Sequence, residues 1–339
     1  MGSTQYDNVA TITMFRAKGD EYVKISLSTT RYLGRQHVAT QFLDLLVRCG
    51  GIYTPERWDV QQQTRHRFDQ GTIPDVIREW TTPEDWKTIF FYHKRQAEIE
   101  MSLDIERSSH AKFNEFPAYI RDEYFKGASQ EQELLRFIIE LCSIIHPVYG
   151  LIAHKKQERR QSPVLTPAER LPGIYWANLF GRPYIDFFGR EKLLATPCYE
   201  VREVSDDLIL LLTADSPYRP EMVESDEIVT RVKEYLDHNA FAGPGFPDEG
   251  CSVPQFDFSD VRWGAEEPLE ESSQEKLTRI RYELEAKGYV AINEAQGQIM
   301  FRGKDGSVAY VDVSTGNISL DLTGEFFKTK PSDAKEGIN

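Results

Sequence analysis

The chain has 339 residues, with 40 Lys plus Arg against 54 Asp plus Glu, a formal net charge of -14. That length suits one large or two modest domains, and hydrophobic residues at 40% can build a sizeable core. The acidic balance argues against nucleic acid or an anionic membrane as a direct partner, and no apolar run approaches the roughly 18 residues of a membrane span.

The start, MGSTQYDN, is polar and lacks the apolar stretch of a secretory signal. Cys49, Cys142, Cys198 and Cys251 are widely spaced with no CxxC, which reads as reduced thiols in a cytoplasmic protein. Thr11 to Phe15 reads as a short strand. Val23, Ile25 and Leu27 alternate with Lys24, Ser26 and Ser28, a half-buried strand. Val38, Phe42, Leu45 and Leu46 share a helical face that Gly50-Gly51 ends. Thr88 to His93 is a further strand. The cleanest alternation follows, with Ala97, Ile99, Met101, Leu103 and Ile105 against Glu98, Glu100, Ser102, Asp104 and Glu106, and predicts a strand with one acidic face in solvent.

Ser129 with Gln132 predicts a capping box for the helix LLRFIIELCSII, which is apolar almost all round and ends at His146-Pro147. KKQERR, at 155–160, reads as a solvated linker. From Leu171 to Pro197 the chain is at its most aromatic, yet Gly, Pro, Asn and Arg interrupt it. Ile174 to Phe180 can run extended, Asn178 must find partners if buried, and Pro183 suits the first turn of a helix. Cys198 to Val204 and Leu208 to Thr213 predict a hairpin turned at Ser205-Asp206-Asp207. Ser225 then caps a helix with Asp226 and Glu227 in its first turn.

Strands followed by a helix thus recur, which predicts an α+β class with antiparallel sheet and helices packed on one side, over residues 1–265. The Gly-, Pro- and acid-rich run 242–271 reads as a linker. Ser272 with Glu275 caps a last helix, and turns at Gln296-Gly297, Asp305-Gly306 and Thr315-Gly316 divide a β-meander. This gives a small α+β unit over 272–326 and a flexible tail over 327–339.

Chemistry-bearing motifs are few. Cys142 and His146 lie four apart without a second pair, and read as a buried thiol and a helix-end imidazole. Pro74-Asp75 followed by Asp85-Trp86-Lys87 resembles the PD…(D/E)xK pattern of metal-dependent nucleases, in which two carboxylates hold a divalent ion and a lysine assists the attacking water. That chemistry needs strands where IREWTTPE reads as a helix end and a loop. No catalytic residue, metal or cofactor is expected.

Leu171-Pro172-Gly173, Tyr175-Trp176, Asn178-Leu179-Phe180-Gly181, Tyr184-Ile185-Asp186 and Gly189-Arg190-Glu191-Lys192-Leu193 together resemble the core of the polymorphic-toxin immunity families, immunity protein 52 and related type VI secretion immunity proteins. Leu179, where an aromatic is usual, and the inserted Lys192 depart from that pattern. The likeness covers 130–260 well and the N-terminal half by topology alone. It implies a non-enzymatic α+β protein that binds and neutralises a toxin, often a nuclease. It also marks Tyr175, Trp176, Asn178, Phe180, Gly181, Tyr184 and Gly189 as the structural core motif.

An acidic binder would suit a basic partner. Carboxylates on a firm support predict the docking surface at Asp206 and Asp207 with Glu224, Asp226 and Glu227. The strand face of Glu98, Glu100, Asp104 and Glu106 is second choice. Two alternatives stand beside this reading: a nuclease using Asp75, Asp85 and Lys87, and a subunit of a larger defence or secretion assembly that docks through its C-terminal unit.

Overall fold

The computed structural model describes residues 21–95, 97–126, 129–161, 167–217, 227–242, 253–262, 281, 284, 289–295, 298–303, 307–312 and 318–321. The chain divides into two compact units, Met1–Ala265 and Glu266–Asn339. The expected strand at Thr11 to Phe15, the Ser225 cap, the Ser272–Glu275 box, the three meander turns and the tail lie outside the described residues.

The first unit runs β1 (Tyr22–Thr29), α1 (Gln36–Cys49), β2 (Arg57–Asp59), β3 (His66–Arg67), α2 (Ile73–Thr81), β4 (Trp86–His93), β5 (Ile99–Glu106) and β6 (Asn114–Arg121). It continues with α3 (Gln130–Ile145), β7 (Tyr149–His154), α4 (Lys155–Arg160), β8 (Ala177–Gly181), α5 (Arg182–Phe188), α6 (Arg190–Leu194), β9 (Glu200–Ser205), β10 (Leu208–Leu212) and α7 (Glu227–Leu236). Ten strands form one antiparallel sheet in the order β3-β2-β4-β5-β6-β1-β7-β8-β10-β9. The α+β class and the antiparallel sheet stand.

The register shows how the helices cover this sheet. Ile25 pairs with Ile152 and Leu27 with Gly150, so Tyr149, Leu151 and Ala153 point to the opposite face. On the Ile25 side, Phe42 of α1 meets Trp80 of α2, Phe91 of β4 and Phe116 of β6 at centroid distances of 5.3, 5.7 and 5.8 Å. On the Tyr149 side, Phe180, Ile209 and Leu211 pack with Tyr184 and Phe188 of α5 and with Val232 and Leu236 of α7. Each helix group lies on one side of its own half of the sheet, and the two halves use opposite faces. Burying side chains of this size contributes about 2–3 kcal/mol each.

α1 ends where two consecutive glycines take left-handed backbone, Gly50 at φ 64 and Gly51 at φ 57, a conformation that costs other residues a clash. The capping box at Ser129 does not form. Ser129 itself sits at φ 76 and its side chain makes no cap bond, because a left-handed residue aims its hydroxyl away from the next turn.

The linker reading of 155–160 is also corrected. These residues form α4, and Glu158, 3% exposed, accepts ion pairs from Lys24 on β1 at 2.6 Å and from Lys155 at 2.5 Å. The charge run reads as solvated only if the strand lysine that it pairs with is unseen. Burial alone would raise the Glu158 carboxyl, but Lys24 and Lys155 together hold it below its ordinary 4.5. A depressed folded value stabilises above the unfolded value and is lost as pH falls through the folded one. Glu158→Gln is therefore expected to lower stability by about 3 kcal/mol at pH 7. Urea titrations at a series of pH values should find that deficit shrinking below pH 4.5; a deficit independent of pH would show that the charges contribute nothing.

The linker reading of 242–271 fails for 253–262. Phe256 and Phe258 pack edge-on against Phe113 at 5.5 and 5.3 Å, and Asp260 accepts from the Tyr32 N–H at 2.9 Å and from the Arg35 guanidinium. The aromatic residues among the acids carry this docking.

In the second unit, β11 (Val290–Ala295), β12 (Gln298–Arg302), β13 (Val308–Asp312) and β14 (Ile318–Asp321) form an antiparallel meander in chain order. Leu284, which is helical, packs with Ile299, Phe301, Ala309 and Val311.

Candidate functional site

The segment that carries the family resemblance folds as the centre of the Tyr149 side. Asn178, Trp176 and Tyr184 bind backbone internally, while the buried Tyr175 hydroxyl has no hydrogen-bond partner among the described residues. The Asn178 amide accepts from the Tyr175 N–H at 3.0 Å and donates to the Tyr175 carbonyl at 2.9 Å, so it ties down the turn before β8. The Trp176 indole donates to Ala214 O at 3.0 Å, and the Tyr184 hydroxyl donates to Pro167 O at 3.0 Å. Gln161 joins in from outside the segment, accepting from the Ile174 N–H at 3.0 Å and donating to the Ile174 carbonyl.

Tyr175, Trp176, Asn178, Phe180, Gly181 and Tyr184 are all buried. Burial pushes the Tyr175 and Tyr149 phenols above their ordinary range, so they serve as neutral packing groups rather than as bases. Gly189, at φ 88, makes the break that lets α5 and α6 follow without a linker. The expected strand from Ile174 shortens to Ala177–Gly181, because Gln161 and Asn178 bind the backbone of 174 and 175 that a ladder would have used.

Asp206 and Asp207 form the exposed turn between β9 and β10. Two arginines from the resemblance segment reach them. Arg182 donates to Asp207 at 3.3 Å and to Asp186 at 2.9 Å, and Arg190 donates to the Glu203 carboxylate and the Asp206 carbonyl. The turn is thus a mixed-charge surface. Glu227 is exposed at the start of α7, while Glu224 and Asp226 lie outside the described residues.

The structure does not bring Glu227 to the turn. Lys192 donates to Leu236 O and Arg231 to Pro197 O at 3.3 Å, so α7 runs antiparallel to 192–197. Its start therefore lies at the end away from Arg190, roughly 14 Å from its last residue at 1.5 Å per residue. Sequence reading missed what lies along this side. Tyr199, 59% exposed, and Tyr235 and Leu194, at 37% and 38%, are large apolar groups in solvent. Tyr235 follows Arg231 by four residues, one turn along α7, and that spacing was the available signal.

The second acidic surface is not the solvated face that alternation predicted. Glu98 is ion-paired with Arg121 at 3.0 Å. Glu100 is 7% exposed and stands in register between Tyr92 and Tyr119, whose rings flank it on both neighbouring strands. Asp104 lies opposite Glu115 of β6 and accepts from the Thr88 hydroxyl at 2.6 Å. Burial raises both carboxyls, and Asp104 raises Glu115 further. Glu106 accepts from Ser108 at 2.9 Å. Alternation reports which side chains point together, not whether water reaches them.

The nuclease-like residues are placed apart. Asp75 opens α2 and pairs with Arg78 at 2.8 Å. Lys87, 5% exposed, donates to the Glu79 carbonyl at 3.0 Å and to the Thr82 carbonyl, capping the far end of the same helix. Asp85 precedes β4, and its carbonyl accepts from the Arg107 N–H at 2.9 Å. Cys142 is a buried thiol that burial pushes upward, and His146 takes the left-handed position ending α3. Among the described residues, no group of three His, Cys, Asp or Glu side chains is placed to hold a metal ion. Among the same residues, no helix is long and apolar enough to cross a membrane.

No family model and no curated protein matches this chain. Among solved structures, the Pseudomonas aeruginosa T6SS protein PA0821 is similar at a TM-score of 0.45 and 11% identity, over 71% of this chain and 81% of that one.

Proposed function

We propose that this chain is a non-enzymatic immunity protein that binds and neutralises a cognate bacterial toxin with a basic surface. The observation that supports this reading is how the resemblance segment uses its polar atoms. Asn178, Trp176 and Tyr184 bind backbone inside the fold, which makes the segment a frame. What the frame presents outward is the Asp206-Asp207 turn, the exposed Tyr199 and Leu194 on the stretch whose Pro197 carbonyl accepts from Arg231, and Tyr235 of α7. Carboxylates at the rim speed encounter with a basic partner, and tyrosines at the centre hold it.

The test uses the purified chain and the toxin encoded beside its gene. A stoichiometric complex and loss of toxin activity on mixing are expected. Neutralising Asp206, Asp207, Glu224 and Glu227 together should slow association and flatten its salt dependence. Tyr199→Ala with Tyr235→Ala should instead speed dissociation, by about tenfold or more for a loss of 1.4 kcal/mol or more. If no such toxin is bound or inhibited, the reading is wrong. If binding persists and both sets of variants behave as wild type, the surface lies elsewhere.

A further inference from the structure

The β5–β6 ladder is broken at one place in the middle of the sheet. Pairing runs Ile99 with Ile120, Glu100 with Tyr119 and Met101 with Ala118, skips Ser102 and Leu103, and resumes at Asp104 with Glu115. The register puts Pro117 opposite Ser102, and proline has no N–H to give a ladder. β6 keeps its pairing with β1 across the same stretch, Pro117 standing opposite Ser26. Beyond the gap, the ladder pair between β5 and β6 is Asp104 with Glu115, and the Asn114 side chain adds a bond to Glu106 O.

Directly opposed side chains have Cβ atoms about 5 Å apart. Thr88 of β4 donates to Asp104, and Ser28 of β1 donates to Glu115 at 3.4 Å. The same face carries Ser102 and Glu106 on β5, Pro117 on β6, Lys24 on β1 and Tyr149 across from Ser28 on β7. Lys24 is the cation that acts on Glu115, and it already serves Glu158. Two ionised carboxylates so placed repel, whereas one proton between them replaces repulsion with a charge-assisted O–H···O bond.

We propose that Asp104 and Glu115 share a single proton, and that this proton latches the far end of β5 to β6. The latch reaches beyond the two strands. Glu106 O accepts from the Asn114 amide at 2.7 Å, and Asn114 in turn accepts from the Leu33 N–H at 2.9 Å. When both carboxylates are charged, this end and the loop at Leu33 loosen together. Both carboxyls are raised, so the stabilisation is present below their ordinary values and lost as pH rises through the raised ones.

Amide hydrogen exchange of the full chain between about pH 5 and 8, corrected for intrinsic rates, tests the latch. Protection over 103–106 and 113–116 should fall about tenfold or more as pH rises, a change of 1.4 kcal/mol or more, while that of β7 and β8 holds. Glu115→Gln should keep protection high throughout and flatten the profile, and Asp104→Asn should do the same. A flat wild-type profile, or a Glu115→Gln profile that follows the wild type, overturns the proposal. So does loss of fold in both variants, since neutralising either carboxyl is predicted to tighten the sheet.

Discussion

Gly181→Ala is expected to remove most of the stability of the large unit. The backbone at Gly181, φ -78 and ψ -179, is open to any residue, so conformation is not the obstacle. Space is. An alanine Cβ would stand 2.1 Å from Pro147 O, 2.8 Å from Val148 Cα and 2.9 Å from Val148 O. These are main-chain atoms that cannot swing aside. The Val148 N–H donates to Ser28 O at 2.8 Å and Val148 O accepts from the Gly181 N–H at 2.9 Å, so retreat would break links to both β1 and β8. Overpacking against fixed backbone, with a ladder bond lost, amounts to about 4 kcal/mol. Gly150→Ala is the internal comparison. Its Cβ would meet the Leu27 and Leu179 side chains, 2.5 and 3.1 Å away, which can change rotamer, so the loss should be smaller, about 2 kcal/mol. Urea midpoints should rank the two in that order; a wild-type midpoint for Gly181→Ala would mean that the Pro147 segment is free to move.

Asn178→Ala should cost about 3 kcal/mol, for a different reason. Asn178 is fully buried and stands between Leu151 of β7 and Leu211 of β10. Its amide satisfies both backbone groups of Tyr175. The Tyr175 carbonyl keeps a second donor, the Thr213 hydroxyl at 3.1 Å, so the group left orphaned is the N–H. Asn178→Leu separates the two contributions. It refills the space without supplying an acceptor, so thermal unfolding should show most of the loss persisting. Recovery to wild-type stability in the leucine variant would reduce Asn178 to a packing residue.

The bond that makes Asn178 critical is legible in the sequence, since an amide on an aromatic face must find a partner. The hairpin around Asp206-Asp207 and the α1 stop at Gly50-Gly51 were legible for the same reason: local chemistry decides them. What escaped depends on strands far away in sequence. KKQERR looks solvated until Lys24 is placed beside Glu158, 134 residues away. The acidic side of β5 looks wet until Tyr92 and Tyr119 close on Glu100. The PD…(D/E)xK spacing looks catalytic until Lys87 is seen to cap α2. For the candidate surface, sequence found the turn but not Arg182 and Arg190 against it, and it joined Glu227 to a place from which α7 leads away.

One small contact bears on how such a chain can diversify. Leu171 and Phe241 form a lone parallel bridge, in which the Leu171 N–H donates to Ala240 O at 2.9 Å and the Ala242 N–H donates to Leu171 O at 2.8 Å. The excursion from 172 to 240 therefore leaves and returns through a single gate, carrying β8 to β10, α5 to α7 and every exposed group proposed for recognition. A stretch whose ends meet can be traded between chains as a cassette, because its replacement need not move either flank. A replacement must still supply a first strand that fits the edge of β7 and groups that meet Gln161 and the Pro167 carbonyl. Under the proposed function, the recognition surface could thus change inside this gate while β1 to β7 keep their sequence, and recombinants spliced at 171 and 242 are where that freedom would be found.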